Sequence, residues 1–262
     1  MKRVRIDQLL SERGVFASRS RAAASVLAGE VLLLPERRRA EKPGQLVPED
    51  VQVELADRPA FVSRGGIKLA NALDALRVPV ASRHALDVGA STGGFTDCLL
   101  QRGAARVAAV DVAYGQIDRR LREDPRVTLI ERLNARELTA ADLPFEPSLA
   151  TIDVSFISLT KVLPAVARCL APGGEVLAMV KPQFELGRER VGKGVVRDPA
   201  DRREAVLGVA LAARELGLPV RGFAPSGLPG PKGNRETFVR CGGEGPGIDD
   251  LEAAIVAAEP DA

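Results

Sequence analysis

The strongest indication of the fold class is the segment Ala85-Leu-Asp-Val-Gly-Ala-Ser-Thr-Gly-Gly-Phe95. Its start, Ala85–Val88, predicts a buried strand, and a helix is predicted over Phe95–Gln101. Between them lies a glycine-rich turn. Glycine tolerates positive φ and allows a ligand or another backbone to approach closely. A strand, a glycine turn and a helix in this order predict an α/β unit built on a parallel sheet.

The chain downstream of this turn continues to alternate between strands and helices. Helices are predicted over Leu159–Leu170 and Asp201–Leu216. The further strands are predicted at Arg106–Val110, Val127–Ile130, Leu149–Asp153, Glu175–Val180, Val220–Ala224 and Thr237–Arg240. Right-handed crossovers between such strands give a mostly parallel sheet. We therefore expect an α/β fold of the Rossmann-like type with a seven-stranded, mostly parallel sheet and one late antiparallel strand.

A separate α+β unit is predicted before this sheet. Ile6, Leu9 and Leu10 form one helical stripe, and a second helix runs from about Arg21 to Ala28 with Ser18 or Ser20 as its cap. Short strands follow at Val31–Leu34 and Val51–Leu55, and residues 56–62 read as a linker. We predict domains at residues 1–60 and 61–242, followed by a tail at 243–262 that begins glycine-rich and closes with a short helix.

The composition limits the class of protein. The 262 residues have a net charge of only +2, but residues 1–39 carry nine Lys or Arg against four acidic residues. That excess fits either a phosphate-facing surface or a solvated charged face. The three cysteines lack metal-ligand spacing, so we expect no metal site and a reduced, cytoplasmic protein. No signal peptide or membrane-spanning segment is predicted.

The glycine turn predicts a nucleoside cofactor. Asp111, which ends the next strand, can accept hydrogen bonds from ribose hydroxyls. The turn lacks the G-x-G-x-x-G spacing that holds a dinucleotide pyrophosphate, and Asp87 suits an amino group better than a pyrophosphate. S-adenosylmethionine is therefore favoured, while another nucleotide and a purely structural turn stay open. The candidate cofactor residues are Asp87, Gly89, Ala90, Ser91, Thr92, Gly93, Gly94, Phe95, Asp111, Val112, Asn134 and Asp153.

Four charged residues form a second candidate site. Lys68 lies on a helix before the first strand of the sheet, Asp153 and Lys181 end two strands, and Glu236 precedes the last strand. Ligands of open α/β sheets bind beyond the carboxyl ends of the strands, where Asp153 and Lys181 would both project. Each residue by itself could equally belong to a surface ion pair.

In this order, the four residues resemble the Lys-Asp-Lys-Glu tetrad of ribose 2′-O-methyltransferases. Residues 3–241 resemble the TlyA family, whose members are known as haemolysins and as ribosomal RNA cytidine 2′-O-methyltransferases with an FtsJ-like domain. The stretches that carry this likeness are Val62-Ser-Arg-Gly-Gly, Asp87–Leu99, Tyr114-Gly-Gln, Asp153–Leu159, Val180–Glu185, Gly192-Lys-Gly and Gly230-Pro-Lys-Gly-Asn. The resemblance implies a class I methyltransferase fold, S-adenosylmethionine as cofactor and ribosomal RNA or ribosomal subunits as partner.

The resemblance also implies catalytic roles for the tetrad. Lys181 would accept or steer the proton of a ribose 2′-hydroxyl, and Lys68 would hold the substrate or stabilise the developing oxyanion. Asp153 and Glu236 would orient the two lysines. A pore-forming haemolysin is disfavoured because no spanning helix is present, and a non-catalytic RNA-binding or ribosome-assembly factor is the other rival.

The first 60 residues resemble an S4-type RNA-binding module. Arg5-Ile-Asp-Gln-Leu-Leu, Ser18-Arg-Ser-Arg-Ala-Ala and Ala28-Gly-Glu-Val carry this likeness. The Val-Asn-Gly turn common in such modules is replaced by Leu32-Leu-Leu-Pro-Glu, and Arg37–Arg39 can supply charge in its place. The resemblance implies RNA contacts from Arg5, Arg19, Ser20, Arg21, Arg64 and Lys193.

Overall fold

The computed structural model describes residues 3–27, 30–55, 60–192, 194–230 and 233–259. Contacts between Cα atoms divide the chain into two units, Met1–Ala60 and Phe61–Ala262. Each unit has a hydrophobic core of its own.

The first unit combines two helices with short antiparallel strands. Its elements are β1 (Arg3–Arg5), α1 (Ile6–Glu12), α2 (Arg19–Leu27), β2 (Val31–Leu33), β3 (Arg38–Arg39), β4 (Leu46–Pro48) and β5 (Val53–Leu55). Strand β1 pairs with β4, and β2 lies between β3 and β5. Ile6, Leu10 and Val26 are buried between the helices and the strands, so the predicted helical stripe is confirmed.

The sequence prediction missed three strands of this unit. Strands β1, β3 and β4 have only two or three residues each, too few for an apolar–polar alternation to be recognised. The predicted strands are one or two residues shorter than expected, and Ser18 caps α2 by accepting a hydrogen bond from the Arg21 N–H at 3.2 Å. The predicted end of this helix, at Ala28, lies outside the described residues.

The second unit is a sheet with helices on both faces. Its helices are α3 (Arg64–Ala75), α4 (Gly94–Gln101), α5 (Arg119–Arg122), α6 (Leu163–Cys169), α7 (Pro182–Glu185), α8 (Arg188–Val191), α9 (Pro199–Glu215) and α10 (Leu251–Ala258). Its strands are β6 (His84–Val88), β7 (Arg106–Asp111), β8 (Val127–Glu131), β9 (Leu149–Ile152), β10 (Glu175–Val180), β11 (Val220–Pro225) and β12 (Thr237–Gly242). The strand order is β11-β12-β10-β9-β6-β7-β8, and β12 runs antiparallel to both of its neighbours. The prediction of seven strands with one late antiparallel strand is confirmed.

Alternate residues of the central strands point to opposite faces of this sheet. Leu86 and Val110 pack with α6 and α9 on one face, whereas Val107 and Leu177 pack with α3 and α4 on the other. Because both faces are covered, the inner strands are mostly apolar, which is typical of parallel sheets.

Two predicted elements differ from the structure. The expected helix over 159–170 is interrupted: a 3₁₀ turn spans Leu159–Lys161, and α6 begins at Leu163. Pro164 lies in the first turn of α6, a position that proline tolerates, whereas inside a longer helix it would remove a hydrogen bond and clash with the preceding turn. The segment expected as a tail contains the short helix that was predicted, α10, but Leu251 and Ile255 of this helix are buried in the same core as α9, so the segment lies in the same unit as the sheet.

Candidate active site

A groove of about 1030 Å³ lies at the carboxyl ends of β6, β7 and β9. Strand β6 continues to β7 on one side of the sheet, while β9 flanks it on the other, so the chain order reverses at this point. Loops diverge at such a reversal and leave a crevice, which is where open α/β sheets bind ligands. The groove volume suits a nucleoside-sized ligand.

The glycine turn after β6 forms the floor of the groove. Gly89 has a φ of +85°, and a Cβ atom at this position would overlap the carbonyl oxygen of Asp153. Side chains at Gly93 and Gly94 would overlap Leu121 and Ser63. The glycines therefore serve first to let protein segments approach each other, and Gly89 in particular allows β6 and β9 to bring Asp153 to the groove.

Asp111 braces the same turn. Its carboxylate accepts hydrogen bonds from the Ser91 N–H and the Ala113 N–H, each at 2.7 Å. The carboxylate also lines the groove, as do the exposed side chain of Val112 and Asn134. Each carboxylate oxygen can accept a second hydrogen bond, so Asp111 can bind a ligand while it holds the turn.

Asp87 lies behind the turn rather than in the groove. Its side chain is completely buried and accepts a hydrogen bond from the Thr96 hydroxyl at 2.6 Å. The pKa of Asp87 is raised to about 7, chiefly by burial and to a smaller extent by the negative charge of Asp153, against the opposing effect of the Thr96 hydrogen bond. The expected direct contact between this carboxylate and a cofactor amino group does not match its position, since the strand buries it between Thr96 and Thr151.

The predicted cofactor residues fall into two groups. Gly89, Ser91, Asp111, Val112, Asn134 and Asp153 line the groove. Asp87, Ala90, Thr92, Gly93, Gly94 and Phe95 do not. Phe95 is buried against Phe238 with the ring centres 5.9 Å apart, so it packs the sheet instead.

The four charged residues of the second candidate site form two ion pairs. The ammonium nitrogen of Lys181 lies 2.5 Å from Asp153 Oδ1 and donates a hydrogen bond to the Ser155 hydroxyl at 2.9 Å. The ammonium group of Lys68 contacts the Glu236 carboxylate, and both side chains are almost completely buried. Because Val180 pairs with Thr237, the adjoining residues Lys181 and Glu236 lie at the same end of neighbouring strands.

The residues in the other half of the groove were not among the candidate site residues, although most of them lie in the stretches Asp153–Leu159 and Val180–Glu185 that carry the family likeness. This half consists of Ser155, Phe156, Ser158, Lys161, Gln183 and Phe184, all from the segments that follow β9 and β10. Phe156 is 92% exposed, and its ring lies 5.1 Å from that of Phe184. An apolar residue that ends up in solvent has no periodic signal, although its position three residues after Asp153 could have suggested it.

Two of the predicted RNA-contacting arginines of the first unit share one carboxylate. Arg5 donates to Asp7 at 2.8 Å and 3.0 Å, and Arg19 donates at 3.1 Å. The Arg5 and Arg19 guanidinium groups lower the pKa of the nearly buried Asp7 to about 2, chiefly through the Arg5 hydrogen bond. Ser20 and Arg21 lie in the first turn of α2, beside Arg19.

The remaining predicted RNA contacts lie elsewhere. Arg64 begins α3 in the second unit, where it donates to the Pro229 carbonyl oxygen at 3.3 Å. Lys193 lies outside the described residues. Among the residues that the structure describes, no group of three or more His, Cys, Asp or Glu side chains could hold a metal ion. Within the same residues, no helix is both long and apolar enough to span a membrane.

A seven-stranded sheet of this order with a groove at its carboxyl ends is typical of Rossmann-like methyltransferases, and comparison with known families agrees. Residues 61–243 match the family model of the FtsJ-like methyltransferases. Over 243 residues, the chain is 46% identical to the 16S/23S rRNA (cytidine-2′-O)-methyltransferase TlyA of Mycobacterium tuberculosis, with 91% of this chain and 89% of the relative covered. The chain therefore belongs to the TlyA/haemolysin family, which carries an FtsJ-like methyltransferase domain.

Two further relatives span almost the whole chain. "Putative rRNA methyltransferase YqxC" of Bacillus subtilis is 41% identical over 254 residues, with 96% of this chain and 90% of the relative covered. A solved structure, "Putative hemolysin from Streptococcus thermophilus", is 38% identical to this chain with a TM-score of 0.74. The match covers 100% of this chain and 97% of the chain in that structure. The likeness thus includes the first unit as well as the methyltransferase domain.

Proposed function

We propose that the protein methylates the ribose 2′-hydroxyl of cytidine in ribosomal RNA, with S-adenosylmethionine as the methyl donor. The observation that carries this proposal is the Lys181–Asp153 pair, which stands at the carboxyl edge of the sheet beside a nucleoside-sized groove. The names of the family relatives support cytidine in ribosomal RNA as the target.

The half of the groove beside β6 and β7 would hold the cofactor. Asp111 offers carboxylate oxygens to ribose hydroxyls, Asn134 offers a polar side chain, and Val112 offers an apolar surface to a base. When bound, S-adenosylmethionine supplies a methyl group already activated on a sulfonium. The protein must therefore add the removal of a proton and the alignment of the acceptor.

Lys181 would receive the 2′-hydroxyl proton at Nζ while its side chain is a neutral amine, or steer that proton while it is charged. Its contacts with Asp153 and Ser155 fix the position of that nitrogen at the mouth of the groove. The Asp153 carboxylate, in turn, is held in place because Gly89 leaves room for the Asp153 carbonyl.

Lys68 and Glu236 would act as a unit. Lys68 can hold the acceptor ribose or stabilise charge that develops on its oxygen, provided that its ammonium group remains oriented by Glu236. The almost complete burial of this pair keeps water away and strengthens its electrostatic effect.

The first unit would bind RNA as an S4-like module. Arg5 and Arg19 are held in fixed orientations by Asp7, and Arg21 follows Arg19 by two residues in the first turn of α2. Arginines fixed in this way suit contacts with phosphate oxygens, which position an RNA without reading its sequence.

Methyl transfer from labelled S-adenosylmethionine to ribosomal subunits that lack the modification tests the proposal. We expect label in RNA at a nucleotide that becomes resistant to alkaline cleavage, and we expect no transfer by Lys181→Ala. Lys181→Arg should also be inactive, because arginine keeps the charge but cannot lose its proton. Cofactor binding, measured by calorimetry, should survive both substitutions.

The possible failures of this experiment have different meanings. If the wild-type protein binds the cofactor but labels no RNA, the proposed substrate is wrong. If it does not bind the cofactor, the proposed cofactor is wrong. Substantial activity in Lys181→Arg would remove the general-base role from Lys181 and leave it a purely electrostatic one.

A further inference from the structure

Two segments face each other across the half of the groove that is formed by the residues following β9 and β10. The β9 loop, residues 153–158, carries Asp153, Ser155 and Phe156. The β10 segment, residues 181–185, carries Lys181 and Phe184. The segments touch at the Lys181–Asp153 ion pair, at the Lys181–Ser155 hydrogen bond and at the Phe156–Phe184 ring contact. All three contacts lie at the groove.

A fourth link joins the two segments through Glu185, which does not line the groove itself. Glu185 ends the β10 segment, and its Oε2 atom accepts a hydrogen bond from the Ser158 hydroxyl at 2.6 Å. Its Oε1 atom accepts a hydrogen bond from the Leu159 N–H at 2.9 Å. Leu159 begins the 3₁₀ turn that closes the β9 loop, so one carboxylate holds the end of that loop.

The β9 loop needs such a restraint because its backbone is strained. Phe156 has a φ of +64°, in the left-handed region that non-glycine residues rarely adopt, and its ring is 92% exposed. A residue in this conformation persists only where its surroundings enforce it. The exposed Phe156 ring contributes little burial, so hydrogen bonds have to supply most of the restraint, those at the two ends of the loop among them.

The two ends of the loop are held in different ways. At the start, the Asp153 N–H donates to the Val88 carbonyl oxygen at 2.9 Å. At the finish, Glu185 accepts both hydrogen bonds described above. The pKa of Glu185 is raised, because burial outweighs the opposing effect of these two hydrogen bonds. The carboxyl group is therefore partly dehydrated, and hydrogen bonds in such surroundings are stronger than in water.

We propose that Glu185 is a positioning residue for methyl transfer, because it fixes the β9 loop against the β10 segment and so keeps Asp153 and Ser155 beside the Lys181 ammonium nitrogen. Glu185 touches none of the reacting groups and acts only through this loop. The inference rests on the function proposed above, in which Lys181 handles the proton.

The charge of Glu185 is not required for this role. A glutamine side chain has the same shape, its oxygen can accept from the Leu159 N–H, and its amide nitrogen can donate to the Ser158 oxygen. The Ser158 hydroxyl would then donate elsewhere, and the Thr160 hydroxyl lies 2.7 Å away. Alanine, by contrast, would remove both contacts.

The test compares Glu185→Ala and Glu185→Gln with Glu189→Ala, in which a nearby exposed glutamate is removed. Three quantities are measured on the full chain: kcat for methyl transfer to ribosomal subunits, the dissociation constant for S-adenosylmethionine, and hydrogen–deuterium exchange of peptides that cover residues 153–161. In Glu185→Ala we expect kcat to fall about tenfold or more, which corresponds to the loss of one or two hydrogen bonds. The cofactor constant should stay within about twofold, as Glu185 lies outside the groove lining.

Exchange of the 153–161 peptides should become faster in Glu185→Ala and stay unchanged in Glu185→Gln and Glu189→Ala. The kcat of Glu185→Gln should be close to that of the wild type. Should Glu185→Ala fail to fold, Ser158→Ala removes the hydrogen bond that its hydroxyl donates to Glu185, together with its contacts to Thr160, and leaves the bond from the Leu159 N–H to the carboxylate. A smaller loss of kcat with faster exchange is then expected.

Unchanged exchange in Glu185→Ala would overturn the proposed link between the segments. Faster exchange with an unchanged kcat would overturn the positioning role, and a Glu185→Gln variant as impaired as Glu185→Ala would overturn the hydrogen-bonding account. Absence of methyl transfer in the wild type would refute the proposed function instead, while the exchange experiment would still decide whether Glu185 holds the loop.

Discussion

Replacing Asp87 by asparagine should make the protein more stable at alkaline pH and should leave cofactor binding almost unchanged. Asp87 is completely buried, and its pKa of about 7 lies well above the ordinary value of 3.8. Asparagine keeps an oxygen that can accept the Thr96 hydrogen bond, but it has no proton to lose.

The sign of the effect follows from where the proton is bound. Between pH 4 and pH 7, an unfolded chain has an ionised Asp87, whereas the folded protein keeps this carboxyl protonated. Unfolding therefore releases a proton, and its free energy falls by about 1.4 kcal/mol for each pH unit until the folded form also ionises near pH 7. From pH 5 to pH 8, two of these units lie below the folded pKa, so the wild type should lose up to about 3 kcal/mol relative to Asp87→Asn.

Urea unfolding of both proteins at pH 5, 6.5 and 8 measures this difference. Asp249→Asn, at an exposed position, is the control for removing one negative charge. Parallel pH profiles for the wild type and Asp87→Asn would refute the reasoning, because they would mean that the buried carboxyl ionises as it does in the unfolded chain. Calorimetry with S-adenosylmethionine completes the test: affinity within about threefold of the wild type agrees with the buried position of Asp87, and a loss greater than about tenfold would place its carboxylate against the cofactor.

Three other substitutions test the structure. Gly89→Ala should lower methyl transfer by about tenfold or more, since its Cβ would displace the Asp153 carbonyl, and kinetics with the cofactor at saturation would reveal the loss. Lys68→Met should lower the free energy of unfolding by about 3 kcal/mol by leaving the buried Glu236 carboxylate unpaired, and adding Glu236→Leu should restore most of it; equal stability of the single and double variants would contradict this. Asp7→Asn should cost about 1 kcal/mol, because its arginine partners are half exposed and screened by solvent. That difference from the wild type should disappear as the pH falls from about 4 to about 2, and its persistence in acid denaturation curves would argue against the two ion pairs.

Most of the fold could be predicted because the parallel sheet leaves a strong local signal. Inner strands are buried on both faces and contain continuous apolar runs such as Val176–Val180, and the glycine turn marks the first crossover. The order of elements then restricts the topology, since such crossovers are right-handed. The short strands of the first unit were missed for the opposite reason, as two or three residues have no recognisable period.

From the sequence alone, the family resemblance and the positions of Asp153, Lys181 and Glu236 beside predicted strands predict that these three residues and Lys68 form one site. How they pair follows from the packing of distant segments. The register of β10 against β12 places Lys181 and Glu236 at the same end of neighbouring strands, and α3 brings Lys68 to Glu236. The tertiary structure also decided that Asp87 is buried behind the glycine turn and that Glu185 reaches Ser158, since burial and long-range hydrogen bonds depend on which segments pack together, and no local pattern encodes that.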